Sequence, residues 1–343
     1  MRSGPHRSPD LSRRGLFAAG GALALGPLIA ACGESKSPDA KGKKGGGAWS
    51  FKDDRNRTVE RDRRPQNIVA FVSTAAALYD YGIECTGIFG PSKPVGGKPN
   101  PQAGAMDVTK LTSVGEAWGQ FNIEKYATLD PDLLISNMFP APDLWFVPED
   151  SRKKVEALAP TVGINVARTS LLNPLKRTAA LAESLGADLR AQQVTDAKKR
   201  FDKAVETLRG AAEANKGLKV MAITGDNDQF YVAVPDSYSD LNYFKDLGVE
   251  FVEGKKSDKW GFWEFLSWEN ADKYHADLIM VDNRSASFSL KQLATKPTWR
   301  RLAAVEAGQT VPWSMEERYS YAGYAPVVEQ LAAAVERSKK LKA

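Results

Sequence analysis

The sequence predicts an α/β fold made of two similar halves, and three observations favour this class. Short apolar runs alternate with segments of helical periodicity, which is the order of elements in α/β domains. One long segment without proline lies between the halves. The same spacing from a tryptophan to a glutamate, and from that glutamate to a predicted strand, occurs once in each half. The chain of 343 residues is long enough for two lobes with sizeable cores.

The predicted strands are short, and several are continuous apolar runs, as expected of strands that are covered on both faces. The candidates are residues 67–72, 85–89, 132–136, 162–166, 219–224, 229–234, 249–252 and 277–281. Helical patterns lie between them, and examples are residues 74–81, 148–158 and 323–341.

Residues 1–31 have the features of an export signal. The pair Arg13-Arg14 resembles a twin-arginine signal and precedes an uncharged stretch that is too short and too rich in glycine and alanine for a transmembrane helix. The segment Ile29-Ala30-Ala31-Cys32 resembles a lipobox, in which the cysteine thiol accepts a lipid. We therefore expect a lipoprotein anchored through Cys32. A plain cleaved signal, a membrane anchor and export by the general secretory route are the alternatives.

The predicted organisation continues with a flexible tether over residues 32–48, which lack the apolar groups needed for packing. We expect a first α/β lobe over 49–186, a bridging helix over 187–214 and a second lobe over 215–343. Lipidation of Cys32 would leave Cys85 without a disulfide partner, and its strand-like surroundings predict a buried, inert thiol.

The segment 187–214 predicts an unusually long helix. It contains no proline and one glycine, Gly210, and its apolar residues fall on one face. At 1.5 Å per residue, about 28 residues span roughly 40 Å, enough to cross between two lobes. An ordinary surface helix or a short coiled coil is the alternative.

A matched spacing links the two halves. Trp118 lies six residues before Glu124, and Trp263 lies six residues before Glu269. Each glutamate is followed, after a predicted short helix, by a predicted strand. Asn122 and Ser267 are expected to cap these helices, which places each glutamate in a first turn, where its charge also stabilises the helix.

Four segments in this order resemble a known family. They are RPQNIV at 64–69, NIEKY at 122–126 with LDPDLLI at 129–135, SWE at 267–269 with ADLI at 276–279, and PTW at 297–299 continuing to Val311. The chain from 58 to 340 resembles the periplasmic-type binding proteins of ABC importers for ferric siderophores, haem and cobalamin. The resemblance implies two Rossmann-like lobes bridged by one long α-helix, with the ligand cleft between the lobes. Such a bridge would limit hinge closure.

The resemblance also assigns residues. Glu124 and Glu269 match the positions that dock each lobe of family members onto arginines of the permease. Aromatic and polar residues are expected to line the cleft: Trp118, Asn137, Trp145, Phe230, Trp260, Trp263 and Tyr319. Arg284 and Arg318 are expected to donate hydrogen bonds to oxygens around ferric iron. Core packing of the tryptophans, and a surface salt bridge of Arg318 with Glu316 or Glu317, are the alternatives.

Other classes of function are disfavoured. Residues 1–31 carry four arginines and one aspartate, which leaves a net charge of only +2 on the rest of the chain and no polybasic face for nucleic acid. The mature chain would keep one histidine, His275, so an imidazole metal site is unavailable. No G-x-S-x-G or Walker pattern occurs. An exported hydrolase and an adhesive lipoprotein are the weaker alternatives.

The resemblance therefore implies a monomeric, lipid-anchored binding protein on the outer face of the cell membrane, without enzymatic activity or a resident cofactor. It would capture a ferric siderophore and deliver it to an ABC permease. Aromatic and arginine side chains suit a hydroxamate or mixed siderophore best, and haem or cobalamin remains the alternative ligand.

Overall fold

A computed structural model of the chain describes residues 47–94 and 97–342. The predicted signal, Cys32 and all but the end of the predicted tether lie outside these residues. None of the helices within 47–94 and 97–342 is long and apolar enough to cross a membrane.

The chain up to residue 184 forms seven strands and four helices within the described residues. In chain order they are β1 (Trp49–Lys52), β2 (Thr58–Arg61), β3 (Ile68–Phe71), α1 (Val72–Asp80), β4 (Gly87–Phe89), β5 (Thr112–Ser113), α2 (Ile123–Ala127), β6 (Leu133–Met138), α3 (Arg152–Leu158), β7 (Thr161–Asn165) and α4 (Leu172–Ser184).

The remaining elements begin with the long helix. They are α5 (Gln192–Ala214), β8 (Lys219–Gly225), β9 (Gln229–Ala233), α6 (Ser239–Asp246), β10 (Glu250–Phe251), β11 (Trp263–Ser267), β12 (Leu278–Asp282), α7 (Leu290–Leu293), α8 (Pro297–Arg300), α9 (Ala303–Glu306), β13 (Thr310–Trp313) and α10 (Tyr321–Arg337).

The first lobe is built on a parallel sheet with the strand order β5-β4-β3-β6-β7. Strands β3 and β6 are buried along their whole length, which explains why their sequences are continuous apolar runs. The strand order reverses between β3 and β6, and ligands of such sheets bind beyond the carboxyl ends of the strands near this switch.

The second lobe is built on a mixed sheet with the order β11-β9-β8-β12-β13. Strands β8, β12 and β13 are parallel, and β9 and β11 form an antiparallel edge. β10 pairs with the first residues of β8, whereas β9 pairs with its last residues. All eight predicted strands are present, with ends displaced by no more than two residues.

Trp263 opens strand β11, which is not among the strands predicted from the sequence. The buried charge of Glu264 interrupts the apolar pattern by which this strand would be predicted. Its side chain is buried, and it accepts hydrogen bonds from the backbone N–H of Lys255 at 2.7 Å and from the Tyr274 hydroxyl at 2.7 Å. Lys273 neutralises the carboxylate. A buried, fully bonded carboxylate interrupts the apolar alternation by which strands are recognised.

The long helix is confirmed, with a later start than the predicted residue 187. Asp188 accepts a hydrogen bond from the backbone N–H of Arg190 at 2.9 Å, which turns the chain before α5 begins. The 23 residues of α5 span about 34 Å. Its predicted apolar face is buried, and it packs along α10, where the ring centroids of Phe201 and Tyr321 are 5.5 Å apart.

Two apolar cores follow from this arrangement. One extends from the first sheet through α5 and α10 to the inner face of the second sheet. The other covers the outer face of the second sheet. Cys85 is buried in the first core, as predicted, and burial raises the pKa of its thiol to about 12.

Candidate ligand-binding site

Two adjoining pockets open where loops of the first lobe face a loop of the second. Their volumes are about 290 and 240 Å³. Both are lined by Phe139 and Trp145, which follow β6, and by Trp260, which precedes β11. Trp118 lines the first pocket and Trp263 the second. We call these five side chains the aromatic seam.

The aromatic seam is continuous on the side of the first lobe. The ring centroids of Trp118 and Trp145 are 4.6 Å apart, and those of Phe139 and Trp145 are 5.3 Å apart. Phe139 then reaches across to Phe262 of the second lobe, with a centroid distance of 6.3 Å. These distances and tilted orientations are typical of favourable aromatic pairs.

Large apolar surface remains uncovered at this seam. Trp118 is 57% exposed and Trp260 is 41% exposed. Isolated exposed aromatics are ordinary, but a group of them lining a concave surface marks a binding site.

The end of strand β6 positions Trp145 through its backbone. The N–H of Trp145 donates to the carbonyl oxygen of Asn137 at 2.8 Å, and the Ser136 hydroxyl donates to the carbonyl oxygen of Trp145 at 2.8 Å. The Asn137 side chain itself is buried and accepts a hydrogen bond from the Thr74 hydroxyl at 3.1 Å. Asn137 therefore supports the seam from inside the lobe and, in contrast to the prediction, lines neither pocket.

Phe230 is also not at the cleft. It is fully buried on the outer face of the second sheet and packs on Trp268, with a centroid distance of 5.5 Å. The alternation of β9 places its neighbour Tyr231 on the inner face instead, 5.0 Å from Phe265. The expectation that Phe230 contacts ligand is therefore corrected.

Arg284 lines the second pocket, but its guanidinium is already bound. Its Nη2 lies 2.7 Å from a carboxylate oxygen of Asp282, and its Nη1 contacts Glu316. Glu316 also accepts a hydrogen bond from Gln102 of the first lobe at 2.6 Å. The arginine is thus part of a network that joins the lobes beside the pocket.

Arg318 lies in a second network between the lobes, outside both pockets. Its Nε is 2.9 Å from an oxygen of Asp80, at the end of α1, and its Nη1 is 3.3 Å from Glu317. A Cβ atom at Gly104 would lie 3.0 Å from Arg318, so a side chain there would displace it. The Arg318 side chain is 18% exposed. It is therefore more buried than expected of the surface salt bridge that the sequence offered as the alternative.

Tyr319 is buried against Tyr324, with ring centroids 5.4 Å apart, and does not line either pocket. Sequence reasoning missed Phe139 and Phe262 at the seam. The one available signal was their position, immediately after and before strands of the two sheets.

The two glutamates of the matched spacing are exposed on the two lobes. Glu124 lies in the first turn of α2, where the Asn122 side chain accepts a hydrogen bond from the N–H of Lys125 at 2.8 Å, as predicted for an N-cap. Glu269 lies in a single 3-10 turn. Ser267 precedes that turn, but its hydroxyl accepts a hydrogen bond from the side chain of Asn270 at 3.0 Å and none from the backbone of the turn. The predicted N-cap is therefore wrong.

No group of three or more histidine, cysteine, aspartate or glutamate side chains within 47–94 and 97–342 is arranged to hold a metal ion.

The fold, the linking helix and the aromatic seam define a binding protein. The chain belongs to the Periplasmic binding protein family, whose model matches residues 69–314. The resemblance seen in the sequence is therefore confirmed, together with the two-lobed fold class. Members of this family bind substrates outside the cytoplasm, and the chain is a substrate-binding protein rather than an enzyme.

Particular relatives share most of the chain. The structure is similar to that of DesE, a ferric-siderophore receptor protein from Streptomyces coelicolor, at 49% identity and a TM-score of 0.83, covering 86% of this chain and 100% of that one. The sequence is 21% identical to the Fe(3+)-citrate-binding protein YfmC of Bacillus subtilis, over 82% of this chain and 84% of that protein. It is 25% identical to the Iron(3+)-hydroxamate-binding protein FhuD of the same organism, over 84% and 86%.

The Arg318 network generates a prediction about pH. Burial raises the pKa of the Glu317 carboxyl to about 7, against the opposing effect of the Arg318 guanidinium, and Asp80 and Asp240 contribute to the rise. The folded state therefore holds this proton more tightly than the unfolded chain does. The resulting stability is complete below about pH 4.5, the ordinary pKa of the group, and is lost as pH rises through about 7.

We expect Glu317→Gln to remove this component. Between pH 5 and pH 8 the free energy of unfolding of the wild type should fall by about 1–3 kcal/mol more than that of the variant. Urea unfolding followed by circular dichroism measures the difference. Glu336→Gln, at an exposed position, is the control. Identical pH dependence in Glu317→Gln and the wild type would contradict the buried, protonated carboxyl.

Proposed function

We propose that this protein captures a ferric siderophore outside the membrane and delivers it to an ABC-type permease. The observation that carries the proposal is the aromatic seam, which lies open between the lobes. The naming of a relative at 49% identity as a ferric-siderophore receptor supports the same conclusion.

The seam suits a large chelate with apolar faces. Tryptophan rings line the seam from both lobes, and the adjoining pockets together offer a broad concave surface. An aromatic wall binds the carbon skeleton of a chelator by area and dispersion, while few polar groups fix its orientation. Trp118, Trp145, Trp260 and Trp263 are therefore the ligand contacts that we propose.

The two arginines have a more limited role in this proposal. Arg284 faces the second pocket, but Asp282 and Glu316 neutralise its charge. A guanidinium that already binds two carboxylates offers few free donors to a further anion. We propose that Arg284 contacts the chelate from the side of the pocket, and that Arg318 and Tyr319 support the loop rather than bind the ligand.

The N-terminal features complete the proposal. We propose that residues 1–31 are a twin-arginine export signal, that Cys32 carries a lipid, and that residues 32–48 tether the folded part to the outer face of the membrane as a monomer. The lobes proposed from the sequence, 49–186 and 215–343, would flank the linking helix.

The ligand is tested by native mass spectrometry and tryptophan fluorescence with a panel of ferric desferrioxamine, ferric enterobactin, ferric citrate, haemin, cobalamin and ferric chloride. We expect one ferric siderophore to bind with submicromolar affinity and to quench fluorescence, and ferric chloride not to bind. Trp118→Ala should weaken that binding roughly tenfold or more, because it removes an exposed contact face. Leu290→Ala, another exposed apolar position, should not.

Binding of haemin or cobalamin alone would replace the proposed ligand. Chemical turnover of the bound chelate would contradict a binding function.

We propose that Glu124 and Glu269 dock the two lobes onto basic residues of the permease. Two exposed carboxylates, one on each lobe, fix orientation and register when they meet a complementary surface. Each exposed ion pair contributes under about 1 kcal/mol, so the pair aligns the complex more than it holds it.

The double variant Glu124→Ala with Glu269→Ala should leave ligand affinity unchanged and abolish uptake of the iron-55-labelled siderophore by cells. The matched control is Glu183→Ala with Glu306→Ala, which removes two exposed carboxylates elsewhere. Loss of ligand binding in the first double variant, or undiminished uptake, would contradict the docking role.

A further inference from the structure

The loop between β10 and β11 carries Trp260, which lines both pockets. Within its own lobe this loop is organised by one carboxylate. Asp258 accepts hydrogen bonds from the backbone N–H of Trp260 at 2.9 Å and from that of Trp263 at 2.7 Å. Gly261 follows with a φ of +72°, a conformation that glycine adopts without strain. The backbone of Trp260 and Trp263, the two second-lobe tryptophans of the aromatic seam, is therefore set by a single compact turn.

A residue of the first lobe also holds this loop. Arg168 follows β7, and its guanidinium Nη2 donates a hydrogen bond to the carbonyl oxygen of Trp260. The same guanidinium lies over the ring of Phe262, with Cζ 5.5 Å from the ring centroid. One side chain thus reaches from the first lobe to the residues on both sides of Gly261.

The backbone of Arg168 is held in an uncommon conformation. Its φ is +52°, a left-handed conformation that a residue with a side chain rarely adopts unless the surroundings hold it. They do so here, because the Arg168 N–H donates to the carbonyl oxygen of Ser237 at 3.2 Å and Ala167 forms a β-bridge with Tyr238. These contacts anchor the base of the side chain to the second lobe and aim it at the Trp260 loop.

The charge of Arg168 is available for this contact. Among the residues described, no carboxylate lies within salt-bridge distance of its guanidinium, in contrast to Arg284 and Arg318. A guanidinium without a carboxylate partner forms a strong hydrogen bond to a carbonyl oxygen and packs well on an aromatic face.

We infer that Arg168 is a positioning residue for ligand retention, a latch that holds Trp260 over the aromatic seam. Arg168 itself lines neither pocket, so its effect on the ligand passes through Trp260. The inference rests on the proposed function, because retention requires a ligand in the seam. It adds a link between the lobes at the mouth of the site, separate from the networks of Arg284 and Arg318.

The kinetic test uses stopped-flow fluorescence with ferric desferrioxamine, or with whichever siderophore of the panel binds the wild type. Arg168→Ala should raise the dissociation rate about tenfold and change the association rate little. Trp260→Ala should raise dissociation to a similar degree. Combining the two should add nothing further, because one residue acts through the other. Arg168→Lys should be intermediate, and Arg190→Ala, at an exposed position, should match the wild type.

A second measurement needs no ligand. Amide hydrogen exchange of residues 258–263 in the free protein should be faster in Arg168→Ala than in the wild type and unchanged in Arg190→Ala. If no siderophore binds the wild type while exchange in this loop still speeds up, the proposed function and the role in retention fail together, and only the hold of Arg168 on the Trp260 loop stands. If a siderophore binds but Arg168→Ala alters neither dissociation nor exchange, or if its effect adds fully to that of Trp260→Ala, the latch is overturned.

Discussion

The packing of helix α5 along α10 is the constraint on which the binding site depends. These helices share the core that continues into both sheets, so the lobes are joined through packed side chains as well as through one covalent link. A packed helix cannot bend as a pair of extended strands can, and large hinge motions are correspondingly limited. The loops that carry Phe139 and Trp145 face the loop of Trp260, and the seam lies between them.

Polar bridges complete the joint on both sides of the aromatic seam. Gln102 contacts Glu316, Asp80 contacts Arg318, and Arg168 contacts Trp260. Beside the first two bridges, a partly buried arginine is shared between two carboxylates, so neither guanidinium carries an uncompensated positive charge. This leaves apolar area as the principal attraction for a ligand, and it explains why aromatic side chains rather than free arginines dominate the described pockets.

The fold could be predicted from the sequence because its signals are local. Three such signals can be recognised in the sequence without knowledge of the tertiary structure: continuous apolar strands, an unbroken helical face and the order of the family segments. Strand β11 escaped because Glu264 is buried with partners that come from Lys273 and Tyr274. From the sequence alone, a buried carboxylate that has partners cannot be distinguished from a carboxylate exposed to water.

The site was predicted less completely, for a related reason. Phe230 would contact a ligand on one face of its strand and the outer core on the other. A shift of one residue along the strand moves a side chain from one face to the other. The ion-pair partners of Arg284 are Asp282 and Glu316, and Glu316 lies 32 positions after Arg284 in the chain. The tryptophans themselves were the more dependable signal, since all four proposed ligand contacts line the two pockets.

The central claim is that iron, already wrapped in its chelator, lies in the aromatic seam. Crystals of the protein with a bound ferric siderophore, measured at the iron absorption edge, would locate the metal directly. The account predicts one anomalous peak between the lobes, with the chelator against Trp118, Trp145, Trp260 and Trp263 and without a protein ligand to the metal. A peak coordinated by protein carboxylates, or one on an outer surface away from these tryptophans, would contradict it.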